Sequence, residues 1–202
     1  MAIAIRDVRE NELDSVVALN NAAGSTILPL DAGRMHDFFL QAAYFRVAES
    51  DGHLAGFLIG LREDAHYGSP NFLWFRERYP HFLYIDRIVI AQRYRGIGLG
   101  RVFYADAISY AEVRVPLLAC EVFLEPPDDV SVLFHGTYGF QEVGQQVMTG
   151  VNRRVSLLAK ELCSHAFVRE TYLDGAGLPS QPWLAERARS VQPPQSRAAG
   201  AH

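Results

Sequence analysis

The sequence predicts an α/β fold with one central sheet flanked by helices, and three observations carry this prediction. Strand-like runs alternate with helical patterns from residue 2 to residue 159. An apolar strand at residues 82–90 leads directly into a glycine-rich turn and a further helical pattern. Residues 117–124 are almost continuously apolar, as expected for a strand that helices cover on both faces. The 202 residues are enough for one sizeable domain with its own core.

The N-terminal part is predicted to contain a strand, two helices and a hairpin. In order, these elements are a strand at 2–8, a helix from Glu10 or Asn11, a helix at 31–43, and strands at 44–49 and 54–59. Asp31 is a suitable N-cap for the second helix, because its carboxylate can accept from a free N–H group of the first turn. Asp51-Gly52 suits a type I′ turn between the two strands, since both central positions of that turn need positive φ.

A long connection, residues 62–81, precedes the next strand and is rich in histidine and aromatic residues. A connection of this length inside a compact domain is either functional or contains its own helix, and residues 71–79 are predicted to form one. Two roles stay open for Trp74 and Phe75. They could close one end of the sheet, or they could line the binding site of a substrate.

The C-terminal part is predicted to complete the sheet. In order, its elements are a strand at 82–90, a helix at 99–113, a strand at 117–124, a helix from Asp128 or Asp129 to Tyr138, and strands at 140–148 and 151–159. Glycine and proline interrupt residues 163–202. We expect this stretch to be an extension with one short helix near 183–189, partly mobile or packed on the domain or on a second subunit.

The glycine-rich turn, residues 93–101, is the strongest functional signal. Gly96, Gly98 and Gly100 remove side chains that would block a close approach to the backbone. The N–H groups at the start of the following helix have no partner within the helix, and the helix dipole is positive there. The turn therefore predicts a site for phosphate oxygens. Its G-x-G-x-G spacing fits neither a Walker P-loop, which ends in Gly-Lys-Ser/Thr, nor the G-x-G-x-x-G of a dinucleotide-binding fold.

Two sequence blocks resemble the GCN5-related N-acetyltransferase (GNAT) superfamily. Its acyl-CoA-binding pattern R-x-x-G-x-G occurs in two overlapping registers, from Arg93 to Gly98 and from Arg95 to Gly100. Residues 131–140 are similar to the family's S-x-x-F-Y-x-x-x-G-F segment, which lies beside the pantetheine arm of the cofactor. The resemblance implies the acyl-CoA N-acyltransferase fold, with a mixed and mostly antiparallel sheet, over a domain at residues 1–162.

The resemblance also implies an acetyl-CoA-dependent N-acetyltransferase whose acceptor is a primary amine that the sequence does not identify. The strand that ends at Ile90 would separate from its neighbour beside the thioester, and backbone groups there would align the acetyl and pantetheine groups. Backbone N–H groups of the glycine-rich turn would bind the pyrophosphate. The residues expected to bind acetyl-CoA are Ile88, Val89, Ile90, Arg95, Gly96, Ile97, Gly98, Leu99, Gly100 and Arg101.

Asp86 is the first candidate for the base that removes a proton from the amine. Strand alternation predicts one shared face for four residues of this strand, namely Tyr84, Asp86, Ile88 and Ile90. A carboxylate in an apolar strand could act as a base with a raised pKa, or it could form an ion pair with an arginine. Glu121 in the following strand is a second candidate. His66 or His81 could serve if the long connection folds over the site.

His135 and Tyr138 are the candidates for the acid that protonates the leaving thiolate. The family segment commonly has a tyrosine where this sequence has His135, and the nearest tyrosine is Tyr138, three residues later. A histidine can supply a proton because its pKa lies near neutrality. We therefore expect His135 to be the acid, with Tyr138 as the alternative. A third possibility is that His135 only forms hydrogen bonds and that water protonates the thiolate.

Composition limits the other classes of function. The net charge of −4 and the lack of basic runs argue against nucleic-acid binding. The two cysteines, Cys120 and Cys163, have no metal-ligand spacing, so no metal is expected, and so few cysteines suit a reducing cytoplasm. No signal-peptide core or membrane-length apolar run occurs, so we expect a cytoplasmic protein. The protein could form a homodimer. Two other functions stay open: an acyl-CoA-binding module without catalysis, and a nucleotide-binding enzyme.

Overall fold

A computed structural model describes residues 3–24, 27–125, 129–148, 150 and 152–173, without the side chains of residues 129, 172 and 173. Within these residues the strands are β1 (Ile3–Asp7), β2 (Tyr44–Ser50), β3 (His53–Arg62), β4 (Leu83–Ile90), β5 (Leu117–Phe123), β6 (Gln141–Met148) and β7 (Arg153–Glu161). The α-helices are α1 (Leu13–Asn21), α2 (Ala32–Gln41), α3 (Pro70–Arg78), α4 (Leu99–Glu112), α5 (Asp129–Thr137) and α6 (Ser164–Val168). The predicted order of strands and helices is confirmed.

The described strands form one sheet in the order β1-β2-β3-β4-β5-β7-β6. All neighbours are antiparallel except β4 and β5, which are parallel. The predicted α/β fold with a mixed, mostly antiparallel sheet is therefore confirmed. A parallel pair needs a long crossover, and α4 provides it between these two strands.

Local sequence signals set two of the boundaries as predicted. Asp31 caps α2, since its Oδ1 accepts a hydrogen bond from the backbone N–H of Arg34 at 2.8 Å. Asp51 and Gly52 have φ values of 50° and 77°, as the turn between β2 and β3 requires. The helix expected near residues 183–189 and the candidate N-cap Asp128 lie outside the described residues. The domain boundary after residue 162 stays a prediction.

Two apolar cores cover the two faces of the sheet. The first face carries α1, α2 and α3, whose buried side chains include Val16, Met35, Phe38, Phe72 and Phe75. The second face carries α4, whose buried side chains include Leu99, Phe103, Tyr104, Ala107 and Ala111. The predicted helix at 71–79 is confirmed as α3. Because α3 lies on the first face, its side chains reach the sheet from that side.

The predicted alternation along β4 is wrong at the centre of the strand. Tyr84 belongs to the first core, whereas Ile88 and Ile90 pack on the second core. The pairing of β4 with β3 shifts by one position at Asp86, which is the extra residue of a β-bulge. The bulge reverses the alternation, so that Asp86 and Arg87 both lie on the first face.

Candidate functional site

The site is organised around a gap between β4 and β5. The two strands pair through three residues each, and the last pair is Ile85 with Cys120. Both strands continue beyond that pair, β4 to Ile90 and β5 to Phe123. The gap therefore opens toward the C-terminal ends of the two strands, where the glycine-rich turn before α4 begins.

Backbone groups of β4 face this gap. Just after β4, the N–H of Ala91 donates to the C=O of Ala55 at 2.9 Å. Because backbone groups alternate in direction along a strand, Val89 also turns its N–H and C=O groups to β3. Ile88 and Ile90 turn theirs to the gap, where their N–H groups can bind a ligand, while Ile90 O accepts a hydrogen bond from Arg95. Of the three β4 residues expected to bind the cofactor, Val89 is the one whose backbone groups are used within the sheet.

The glycine-rich turn leads into α4 at the open end of the gap. Gly96 and Gly98 are exposed, have φ values of 78° and 88°, and would have no atom within 4 Å of an added Cβ. Gly98 is the N-cap of α4 and offers no side chain to the first N–H groups of the helix. The N–H of Arg101 already donates to Gly98 O at 2.9 Å, so an anion would be bound by the N–H groups that precede it. Gly100 is less open, because a Cβ there would contact the ring of Phe134 at 3.4 Å.

The arginines of the turn have different surroundings. The Nε of Arg95 donates to Ile90 O at 3.0 Å, and one of its terminal nitrogens donates to Ala23 O at 3.3 Å. This side chain therefore links the turn to the end of β4 and to the residues just after α1. Arg101 is exposed in the first turn of α4, where it can meet an anion. A cavity of about 600 Å³ adjoins the turn, between the end of α1, the end of β4 and the side chains of Arg93 and Arg95.

Asp86 lies on the first face at the start of the gap, in a hydrogen-bonded network. Its Oδ1 accepts from the hydroxyl of Tyr67 at 2.5 Å, and its Oδ2 accepts from the Nε of Arg87 at 2.7 Å. Arg87 also donates to Asn20 Oδ1 at 2.8 Å and to Leu28 O at 3.2 Å. The ion pair with an arginine, one of the two roles considered for Asp86, is therefore present. The role of Asp86 as the base stays a prediction.

Glu121 borders the gap from β5, one residue beyond the last pair with β4. Its carboxylate accepts a hydrogen bond from the hydroxyl of Tyr84. Burial and the negative charge of Asp86 raise the pKa of Glu121 to about 7, although hydrogen bonds and Arg87 oppose the rise. A carboxylate with this pKa can accept a proton and release it again near neutral pH. In the sequence, its signal is a single carboxylate within an almost continuously apolar run.

His135 lies inside the protein, on the second face. Its Nδ1 is 2.7 Å from Ser131 O and its Nε2 is 2.6 Å from the hydroxyl of Tyr104. The carbonyl oxygen can only accept, so the Nδ1–H group donates to it. The contact with the Tyr104 hydroxyl occupies Nε2, so both ring nitrogens are in use. The arrangement therefore does not favour His135 as the proton donor.

Tyr138 lies nearer the surface, with its ring 5.1 Å from that of Tyr104 and 5.2 Å from that of Phe134. Burial raises the pKa of Tyr138 above its ordinary value, and the positive charge of Arg101 opposes the rise. The hydroxyl therefore keeps its proton at neutral pH. Both Tyr138 and Arg101 belong to the side of the sheet on which the glycine-rich turn leads into α4.

The two histidines of the long connection do not complete this site. His81 is exposed and its Nδ1 is 2.9 Å from Glu63 Oε1. His66 lines a small cavity beside α2. Among the described residues, neither histidine forms a hydrogen bond with Asp86 or Glu121.

Three further features of the described residues bear on function. They contain no group of three or more His, Cys, Asp or Glu side chains that could hold a metal ion. None of their helices has the length and apolar character that crossing a membrane requires. Cys120 is buried and Cys163 is exposed, and both are free thiols.

A comparison with protein families gives one match. Residues 13–140 match the family described as the Acetyltransferase (GNAT) family. The match covers more than half of the chain and includes the gap, the glycine-rich turn and α5. A search of curated protein sequences finds no match.

Solved structures with the same fold cover most of the chain. The ribosomal-protein-S18-alanine N-acetyltransferase from Escherichia coli is 16% identical, with a TM-score of 0.62 over 80% of this chain and 94% of that chain. Ard1 from Thermoplasma volcanium is 16% identical, with a TM-score of 0.63 over 80% and 99%. The protein yncA from Salmonella typhimurium, determined with its cofactor acetyl-CoA, is 16% identical, with a TM-score of 0.60 over 80% and 95%. These similarities show the fold.

Proposed function

Because the chain belongs to the Acetyltransferase (GNAT) family, we propose that it transfers the acetyl group of acetyl-CoA to a primary amine. One observation carries the proposal: a carboxylate with a pKa of about 7 lies at the start of the gap whose open end carries the glycine-rich turn. Amine acetylation needs a site that holds the acyl donor and a base that takes a proton from the acceptor. The glycine-rich turn and Glu121, on opposite faces of the same gap, would supply them.

The residues around the gap fit acetyl-CoA as the donor. The exposed backbone at Gly96 and Gly98, with the uncapped start of α4, would bind the pyrophosphate, and Arg101 would add positive charge. The backbone N–H groups of Ile88 and Ile90 would hold the thioester carbonyl and the pantetheine arm. A backbone donor aimed at the carbonyl oxygen stabilises the negative charge that develops there during acyl transfer.

Glu121 is the base in this proposal. An ammonium loses two protons when it becomes an amide, and Glu121 takes the first, directly or through water, which frees the lone pair of the nitrogen. The nitrogen attacks the carbonyl carbon, a C–N bond forms, and the C–S bond breaks. The thiolate that leaves takes up one proton, which balances the second proton that the nitrogen loses. Glu121 suits the first step because its pKa of about 7 allows it to be ionised and still basic near neutral pH.

Tyr138 is the proton donor to the thiolate in this proposal. It replaces His135 in that role because both ring nitrogens of His135 are held by Ser131 and Tyr104. The Tyr138 hydroxyl lies on the second face, and Glu121 contacts Tyr84 of the first core. The acceptor would therefore enter from the first face, while the thiolate forms toward the second.

The proposal is tested by turnover of acetyl-CoA with a panel of primary amines. Free thiol is measured as it is released, and the acetylated amine is identified by mass spectrometry. Glu121→Gln should lower kcat/KM by about 100-fold or more and remove the acidic limb of its pH profile, while CoA binds as before. Turnover without any dependence on Glu121 would reject this base. Binding of CoA without turnover of any amine would favour an acyl-CoA-binding module.

A further inference from the structure

Asn71 is a buried polar residue at the start of α3 that the proposed mechanism does not use. Its Oδ1 accepts a hydrogen bond from the Nε2 of Gln146 in β6 at 3.3 Å. Its side-chain amide interacts with the carboxylate of Glu121, and its Nδ2 has no hydrogen-bond partner at regular distance among the described residues. A buried amide donor without a partner is unfavourable and rare, so this nitrogen calls for a physical explanation.

We propose that Asn71 is a positioning residue that holds the ionised carboxylate of Glu121 toward the gap. The inference rests on the proposed function, in which Glu121 is the base. The Tyr84 hydroxyl donates to Oε2 of Glu121 from β4, and Asn71 Nδ2 offers a second donor from α3. Two donors from different elements restrict the rotation of a carboxylate more than one donor does. They also favour its charged form, which is the form that accepts a proton.

The hydrogen bond from Gln146 fits the orientation of the Asn71 amide in which Nδ2 faces Glu121. The side-chain N–H of Gln146 can only donate, so it selects Oδ1 of Asn71 as its acceptor. This leaves Nδ2 for the carboxylate. With the opposite orientation, Oδ1 would face the carboxylate and two acceptors would repel each other. The edge strand β6 therefore takes part in the orientation of the base, through α3.

The other groups that face Glu121 come from different parts of the chain. They are Tyr84, Asp86 and Arg87 in β4, Tyr67 in the connection before α3, and Cys120 in β5. Asp86 raises the pKa of Glu121, whereas the hydrogen bond from Tyr84, the nearby amide of Asn71 and the charge of Arg87 lower it. The contribution of α3 is thus a neutral hydrogen-bond donor. Its removal should shift the proton equilibrium without the loss of a charge.

Asn71→Leu tests the inference through the pH profile of kcat/KM. Loss of the donor should raise the pKa of Glu121, so the acidic limb should move to higher pH. At pH 6, kcat/KM should fall about tenfold relative to the wild type, and at pH 9 it should agree within about twofold. Gln146→Glu provides a second variant at a partly exposed position. A carboxylate there can only accept, so it should turn Nδ2 of Asn71 away from Glu121 and move the limb in the same direction.

Phe72→Leu is the matched control, because Phe72 is the next residue of α3 and is equally buried. It should lower the melting temperature without a shift of the limb. The double variant Asn71→Leu/Glu121→Gln should have no acidic limb to shift. If Glu121→Gln abolishes the limb but neither Asn71→Leu nor Gln146→Glu moves it, Asn71 does not position the base and the proposed function stands. If Glu121→Gln keeps the limb, the base assignment itself is wrong and the inference falls with it.

Discussion

The Nε of Arg87 donates to Oδ2 of Asp86 at 2.7 Å, although the two residues are consecutive in β4. Consecutive side chains of a regular strand lie on opposite faces, and the bulge at Asp86 removes that restriction. Both side chains are almost fully buried, at 4% and 8% exposed. Asp86 is therefore held as a charged partner of Arg87, and its charge lies beside Glu121.

Asp86→Asn should lower the pKa of Glu121, because the variant removes a nearby negative charge and leaves the positive charge of Arg87. The acidic limb of the kcat/KM profile should therefore move to lower pH. An unpaired buried guanidinium should also lower the free energy of unfolding by roughly 3–5 kcal/mol. Asp106→Asn breaks a different ion pair, with Arg46, and should leave the limb in place. If Asp86 were the base, the limb would disappear in Asp86→Asn.

Glu121→Gln should change stability in a pH-dependent way. The pKa of Glu121 is raised from its ordinary value of 4.5 to about 7 in the folded protein. The folded state therefore favours the protonated form, and this contribution is present below pH 4.5 and is lost as the pH rises through 7. The difference in the free energy of unfolding between Glu121→Gln and the wild type should shift in favour of the variant by on the order of 1–3 kcal/mol between pH 4 and pH 8. Urea unfolding at the two pH values measures this, and an equal difference at both would contradict the raised pKa.

Gly98→Val should abolish CoA binding, because a branched side chain would occupy the space where the pyrophosphate approaches the backbone. The substitution also forces valine into the φ of 88° found at Gly98, which should cost about 1–3 kcal/mol. Gly52→Val is the matched control, since Gly52 has a φ of 77° and equally open surroundings in the β2–β3 turn. Calorimetry with CoA should show a loss of affinity of at least about tenfold only in Gly98→Val. Equal affinities in the two variants would exclude this turn from the cofactor site.

His135→Phe and Tyr138→Phe should have opposite effects. His135→Phe leaves the Tyr104 hydroxyl without its partner and should destabilise the fold by about 1–3 kcal/mol, with kcat nearly unchanged. Tyr138→Phe should preserve stability and lower kcat at saturating acetyl-CoA, by roughly tenfold or more. Single-turnover rates across the pH range measure both. A large loss of kcat in His135→Phe alone would restore the histidine as the acid.

The sequence was sufficient to predict the features that depend on residues close together in the chain. The cap at Asp31, the turn at Asp51-Gly52 and the glycine-rich entry into α4 each follow from conformational preferences within a few positions. The order of the strands followed from the same local signals together with the family resemblance. The proposed cofactor side of the site is of this kind, because a helix start and its preceding turn form one continuous segment.

The acceptor side of the site could not be predicted in the same way. The bulge at Asp86 depends on how β4 pairs with β3, which no local pattern specifies. The pKa of Glu121 depends on Tyr84, Asp86 and Asn71, which come from other strands and from α3. The pairing of His135 with Tyr104 is of the same kind, since it depends on the packing of α5 on α4. Such contacts are set by tertiary structure alone.

The short ladder between β4 and β5 divides the sheet mechanically. One half-sheet contains β1 to β4 and the other contains β5 to β7, and only three residue pairs join them. Strand separation at this joint would break few backbone hydrogen bonds. A ligand bound in the gap would contact both half-sheets and hold them together. Amide hydrogen exchange at residues 83–85 and 118–120 should therefore slow when CoA is bound, far more than exchange in the β1–β2 ladder.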